Sequence, residues 1–149
     1  MRIILQRVRN AEVRVDGQIV GSIGAGILAL VGITKSDTLA TAEMAARKIS
    51  QLRILADAEG KMNRSLLDTG GSCMVVSQFT LAASLDRGRR PSFDSAAARA
   101  EAEPLVSFLI ESLGTLGIRN IESGVFGATM EVHLVNDGPV TFVLDVPSS

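Results

Sequence analysis

One cysteine, one histidine, no tryptophan and no tyrosine occur in the 149 residues, and five phenylalanines supply all the aromatic surface. With Cys73 alone, an intrachain disulfide and a cysteine-rich metal site are both excluded, a pattern suited to a reducing compartment. Cys73 lies in the apolar run Cys73-Met74-Val75-Val76 and reads as a buried structural thiol rather than a nucleophile. With His133 alone, clustered histidine ligands are impossible, and any Ser-His-Asp device has to use that residue. No G-x-S-x-G elbow accompanies it, and no P-loop or G-x-G-x-x-G follows a strand, so neither a metal nor a cofactor is expected. Scarce aromatics and a net charge of −1 argue against a protein that coats nucleic acid, DNA included. Any nucleic-acid contact is expected to be local.

The stretch Gly17–Thr34 has no charge at all, which approaches the length of a membrane span. Five glycines interrupt it and Gln18 and Ser22 dilute it, so two buried strands joined by a turn are expected instead. Near the start, Arg2, Arg7 and Arg9 bracket an apolar run too short for a signal peptide. The expectation is a cytoplasmic protein without a membrane partner.

What is present is a composition of 46% apolar and 21% charged residues, enough for one core in one domain spanning 1–149. Residues 2–8 read as a strand, and Val13 to Val20 as a hairpin about Asp16-Gly17, a pair suited to positive φ. Ile27–Ile33 is a short continuous apolar run, as in a strand buried on both faces. Leu39, Ala42, Ala46, Ile49 and Leu52 then recur at helical spacing, with Ser36 or Asp37 as the expected cap. Short strands are expected around Asp57-Ala58-Glu59-Gly60, and a strong strand from Cys73 to about Leu81. An irregular basic loop, 82–93, precedes a second helix striped by Leu105, Phe108, Leu109 and Leu113. Pro104 is expected to start that helix, because a proline inside it loses a hydrogen bond and clashes. Met130–Val146 reads as two strands around Asn136-Asp137-Gly138-Pro139. The fold class is therefore α/β, with mixed, largely antiparallel sheets and two main helices.

His133 alternates with Met130, Val132 and Leu134, so it faces away from the apolar side of its strand. Two polar clusters remain. Ser77-Gln78-Phe79-Thr80-Leu81 ends a buried strand, where fraying into a loop competes with a use for exposed backbone N–H groups in binding an oxyanion. Ser77 and Thr80 fall on opposite faces of a regular strand. Asn136-Asp137-Gly138-Pro139-Val140-Thr141 reads, by itself, as an Asp-Gly turn with a proline opening the next strand.

In this order and separation the two clusters resemble the signature motifs of the D-aminoacyl-tRNA deacylase family. The resemblance extends to Gln6-Arg7-Val8, to Asp57-Ala58-Glu59-Gly60-Lys61-Met62-Asn63 and to Gly88-Arg89-Arg90-Pro91-Ser92-Phe93. It implies a homodimer that hydrolyses the ester of D-aminoacyl- and glycyl-tRNA, without a cofactor. It also implies catalytic sites made of Ser77, Gln78, Phe79 and Thr80 from one subunit and a cis Gly138–Pro139 dipeptide from the other. Gly138 and Pro139, with Arg7 and Asn136, are then the residues of substrate binding and chiral selection. A cis bond is cheap before proline, and a rigid dipeptide can reject an L side chain by collision. Backbone N–H groups near Gln78 and Phe79 are the candidate oxyanion hole, with the ribose hydroxyl of the substrate assisting water. Thr80 as a nucleophile lacks a base. Arg87, Arg89 and Arg90 are candidates to hold tRNA phosphates, with a merely solvated loop as the rival reading. Two other functions stand against this one: a small-ester hydrolase using Ser77 with His133, and a non-catalytic RNA-binding module.

Overall fold

The computed structural model describes residues 1–148, and Ser149, the last residue of the expected domain, lies outside them. One strand organises the rest. β1 (Arg2–Val15) is 14 residues long, so the expected strand at 2–8 and the first arm of the hairpin are one continuous element. Its end turns through Asp16 (φ 50°) and Gly17 (φ 76°) into β2 (Gln18–Ile23), as the Asp-Gly pair predicts. β3 (Gly26–Gly32) runs antiparallel to Arg2–Val8. β6 (Ser72–Ser77) and β7 (Ile121–Ser123) then extend the sheet in parallel beyond β3. β8 (Glu131–Asp145) lies antiparallel along β1 from Arg2 to Arg14. A separate pair, β4 (Leu55–Ala56) and β5 (Met62–Arg64), flanks the Asp57–Gly60 turn. Mixed pairing and an α/β architecture follow the sequence expectation.

Apolar side chains fill both faces of the central strands. Ile3, Leu5, Ile27, Ala29 and Val31 join a cluster with α1 (Leu39–Gln51) and α3 (Arg99–Thr115). The alternate residue Leu28 joins Val8, Val13, Met74 and Val76 on the other face, where Met130, Val132 and Leu134 cover them. The continuous apolar run of β3 is thereby explained: both of its faces pack against apolar side chains, and only Leu30 is partly exposed. Burying this many aliphatic side chains, at roughly 25 cal/mol per Å², is the main drive for the fold.

Four local expectations change. The cap of α1 is Thr38, whose side chain and that of Thr41 form a reciprocal capping box. Asp37 is occupied elsewhere, accepting from the Thr34 N–H at 2.7 Å and the Met1 ammonium at 2.6 Å. α2 (Leu66–Thr69), one turn long and capped by Ser65, was not anticipated. Pro104 sits inside α3 rather than at its start. Its position is exposed, so the unpaired carbonyl one turn earlier faces water, while Ala102, Leu105, Val106, Leu109 and Leu113 bury the opposite face. Lastly, β6 stops at Ser77 instead of running to Leu81. Among the described residues no helix is long and apolar enough to cross a membrane.

Candidate active site

The end of β6 changes character because its neighbour allows it no further ladder. Cys73 to Val76 are buried, and burial pushes the Cys73 thiol up to about 12, so it is not a nucleophile. Ser77 is half-buried, Gln78 breaks from strand geometry (φ −142°, ψ 79°), and Phe79–Ala82 form a short 3₁₀ turn. The turn brings Gln78 and Thr80 together, the Gln78 side-chain amide donating to Thr80 Oγ1. The Gln78 backbone N–H is spent on Val31 O at 2.7 Å. Among the described residues, the Phe79 and Thr80 N–H groups have no protein acceptor. Phe79 is 60% exposed, its ring 5.2 Å from that of Phe93.

Ser77, Gln78 and Phe79 form one wall of a cleft of about 530 Å³, with Arg99, Phe126 and Met130 on other walls, while Thr80 and Phe93 line a separate depression. Val132 also lines the cleft. His133, one residue on, points to the opposite side of β8 and contacts Glu131 Oε2 at 3.2 Å. Ser77 and His133 therefore do not meet, and the small-ester hydrolase reading loses its catalytic pair.

The second cluster is not a hairpin. Gln6 pairs with Thr141 and Val8 with Asn136, so both flanks of Asp137–Val140 lie on the same strand, β1, in one direction. The four residues between are an enlarged bulge thrown out of β8. Asn136 closes its base: Oδ1 accepts from the Val140 N–H at 2.7 Å, and Nδ2 donates to Thr141 Oγ1 at 3.0 Å. Arg7 holds its side, Nε donating to Asp137 O at 2.8 Å and Nη1 to Ile54 O at 3.0 Å. The Asp137 carboxylate lies between Arg7 (3.6 Å) and Arg9 (3.5 Å). At the tip, the Gly138–Pro139 peptide is cis and exposed. A Cβ on Gly138 would come within 2.4 Å of Val140 N, so only glycine fits.

Arg7, Asn136, Gly138 and Pro139 thus form one constellation, and Ser77, Gln78, Phe79 and Thr80 another. Within one chain the two do not share the cleft, which Asn136 to Val140 do not line. Arg87, Arg89 and Arg90 are exposed on a loop closed by reciprocal backbone bonds between Ser84 and Ser92, and among the described residues they form no ion pair. Sequence reasoning missed Arg9, Asp137, Phe126 and Met130. Arg9 was legible as the residue two along from Arg7 on the same face of a strand; Phe126 and Met130 lie outside both motifs and gave no signal.

A family model described as D-Tyr-tRNA(Tyr) deacylase matches residues 4–145. A protein of Thermomicrobium roseum named D-aminoacyl-tRNA deacylase is 59% identical over 97% of this chain and 94% of its own length. The chain belongs to the D-aminoacyl-tRNA deacylase family. It is accordingly an enzyme of hydrolytic class. Solved structures agree in fold with this deacylase. One titled c-Myc DNA Unwinding Element Binding Protein has a TM-score of 0.94 at 39% identity, covering 99% of both chains. Another, titled as a probable eukaryotic D-amino acid tRNA deacylase, has a TM-score of 0.83 at 17% identity, covering 97% of this chain and 98% of that one. The second likeness concerns the fold alone.

Proposed function

We propose that this deacylase hydrolyses the ester joining a D-amino acid, or glycine, to the terminal adenosine of tRNA, and that it does so as a homodimer. The observation that carries the reading is the braced Gly138–Pro139 tip: held at its base, exposed at its end, and outside the lining of its own cleft. Such a tip suits insertion beside the Ser77–Phe79 wall of the cleft in a second copy. Its strand, β8, also exposes Val135, Phe142 and Val143 for burial against that copy.

In the assembled site the dipeptide is a wall beside the substrate α-carbon. A D side chain or the hydrogen of glycine clears it, and an L side chain collides, so discrimination comes from exclusion and tolerates many D side chains. The free N–H groups of Phe79 and Thr80 supply the oxyanion hole for the tetrahedral intermediate. The ester is already activated, and the neighbouring ribose hydroxyl of the substrate assists attack by water, so no histidine is required. Thr80 orients through its bond with Gln78. Arg87, Arg89 and Arg90 reach acceptor-stem phosphates beside Phe93. A net charge of −1 favours such a confined contact over the long phosphate tract of DNA or a general RNA-binding surface.

The shared site has a direct test. Phe79→Pro removes one oxyanion donor, and Gly138→Ala disturbs the tip. Each variant alone is expected to be inactive, but subunit exchange should create mixed dimers with one intact site, restoring about a quarter of wild-type activity. No recovery after demonstrated exchange would refute the cross-subunit arrangement.

A further inference from the structure

The cleft that holds Ser77, Gln78 and Phe79 is lined by apolar and neutral polar residues with a single charged exception, Arg99. Arg99 opens α3 and is two-thirds exposed, its guanidinium 5.8 Å from the centre of the Phe126 ring. Its Nε lies 3.3 Å from Glu103 Oε2, an exposed pair one helical turn away. Gly127, at φ 76°, leaves the space it occupies: a Cβ there would stand 2.9 Å from Arg99 Nη1. A ring face, a glycine and a carboxylate thus hold one cation at the edge of an otherwise uncharged cleft.

A tRNA 3′ end offers that cation one kind of partner. Adenine, ribose and the ester are neutral, and the α-amino group of the amino acid is itself positive. The anion nearest the ester is the 5′-phosphate of the terminal nucleotide. A guanidinium matches a phosphate with two parallel hydrogen bonds, and the exposed bond to Glu103 is weak enough to be shared or exchanged. We infer that Arg99 is the phosphate ligand that fixes the terminal nucleotide in the cleft, with its ester turned towards the Phe79 and Thr80 N–H groups. This rests on the deacylase reading of the cleft. Arg99 acts on binding and registration and touches no reacting atom.

The experiment compares adenosine 5′-monophosphate with adenosine, each titrated calorimetrically into the wild-type protein, Arg99→Gln and Arg99→Lys. The wild type is expected to bind the monophosphate about tenfold more tightly, the scale of a charge-assisted phosphate contact. Arg99→Gln should erase the preference and Arg99→Lys keep part of it. In kinetics, Arg99→Gln should raise KM for D-aminoacyl-tRNA, with a loss in kcat/KM about tenfold larger than on the D-aminoacyl ester of adenosine, which lacks the phosphate. Equal affinity of the wild type for the two ligands, failure of both to bind, or a preference that survives in Arg99→Gln would overturn the assignment. A protein that shows the Arg99-dependent preference yet releases no amino acid from tRNA would contradict the deacylase reading and leave the phosphate contact standing.

Discussion

Arg7 and Phe79 carry the heaviest burdens at the scale of single residues, and for different reasons. Arg7 is mostly buried and donates to two carbonyls, Asp137 O and Ile54 O, so its removal strands both acceptors. Arg7→Ala is expected to cost about 1–3 kcal/mol in denaturant unfolding. It should also lower deacylation at least tenfold, because the Gly138–Pro139 tip is no longer held; wild-type kinetics in that variant would show that the brace is dispensable. Phe79 matters through its backbone. Phe79→Pro deletes the N–H at the first position of a 3₁₀ turn, where proline is tolerated, and Phe79→Ala removes the ring while keeping the N–H. Steady-state kinetics should give the proline variant a kcat about 10²–10³ below that of the alanine variant, the usual worth of an oxyanion donor. Equal values would move the oxyanion hole elsewhere. The motif letters pointed to both residues. That the Gln78 N–H is taken by Val31, leaving those of Phe79 and Thr80, depends on strand pairing and could not be read from them.

Among the elements, α3 and β8 are where local signals and tertiary structure part company. Proline costs about 3 kcal/mol in a helix interior, so the sequence argues for a start at Pro104. Five buried side chains on α3 outweigh that cost, and the helix begins at Arg99. Pro104→Ala should therefore stabilise the protein by about 1–3 kcal/mol, restoring a hydrogen bond at an exposed position, as thermal unfolding would reveal. An unchanged or lowered melting temperature would mean that the missing bond was already compensated. In β8 the letters Asn-Asp-Gly-Pro spell a turn, and a turn it is, but one that returns to the same partner strand. Nothing local separates a hairpin from a bulge; only the pairing of Gln6 with Thr141 and Val8 with Asn136 does. Elements whose signal is intrinsic were legible: the Asp16-Gly17 hairpin, the doubly buried β3 and the stripe of α1. The single-turn α2 was not, being too short for periodicity to register.

For the whole molecule, the two constellations lie on separate parts of one chain, and the proposed dimer would bring them together as halves of one site. The two motifs were legible in the sequence, because each is a continuous run of residues, and their order and spacing pointed to a family. The sequence did not disclose the cleft beside the first of them, whose other walls come from Arg99, Phe126 and Met130, outside both motifs. In the proposed dimer, stereochemistry is the consequence of a wall rather than of a specific pocket. Its most direct test is the rate of amino-acid release from one tRNA charged with the D form, the L form, or glycine, followed at equal enzyme concentration. The D-aminoacyl and glycyl esters should be hydrolysed rapidly and the L-aminoacyl ester left essentially intact. Comparable rates on the D and L esters would contradict the account.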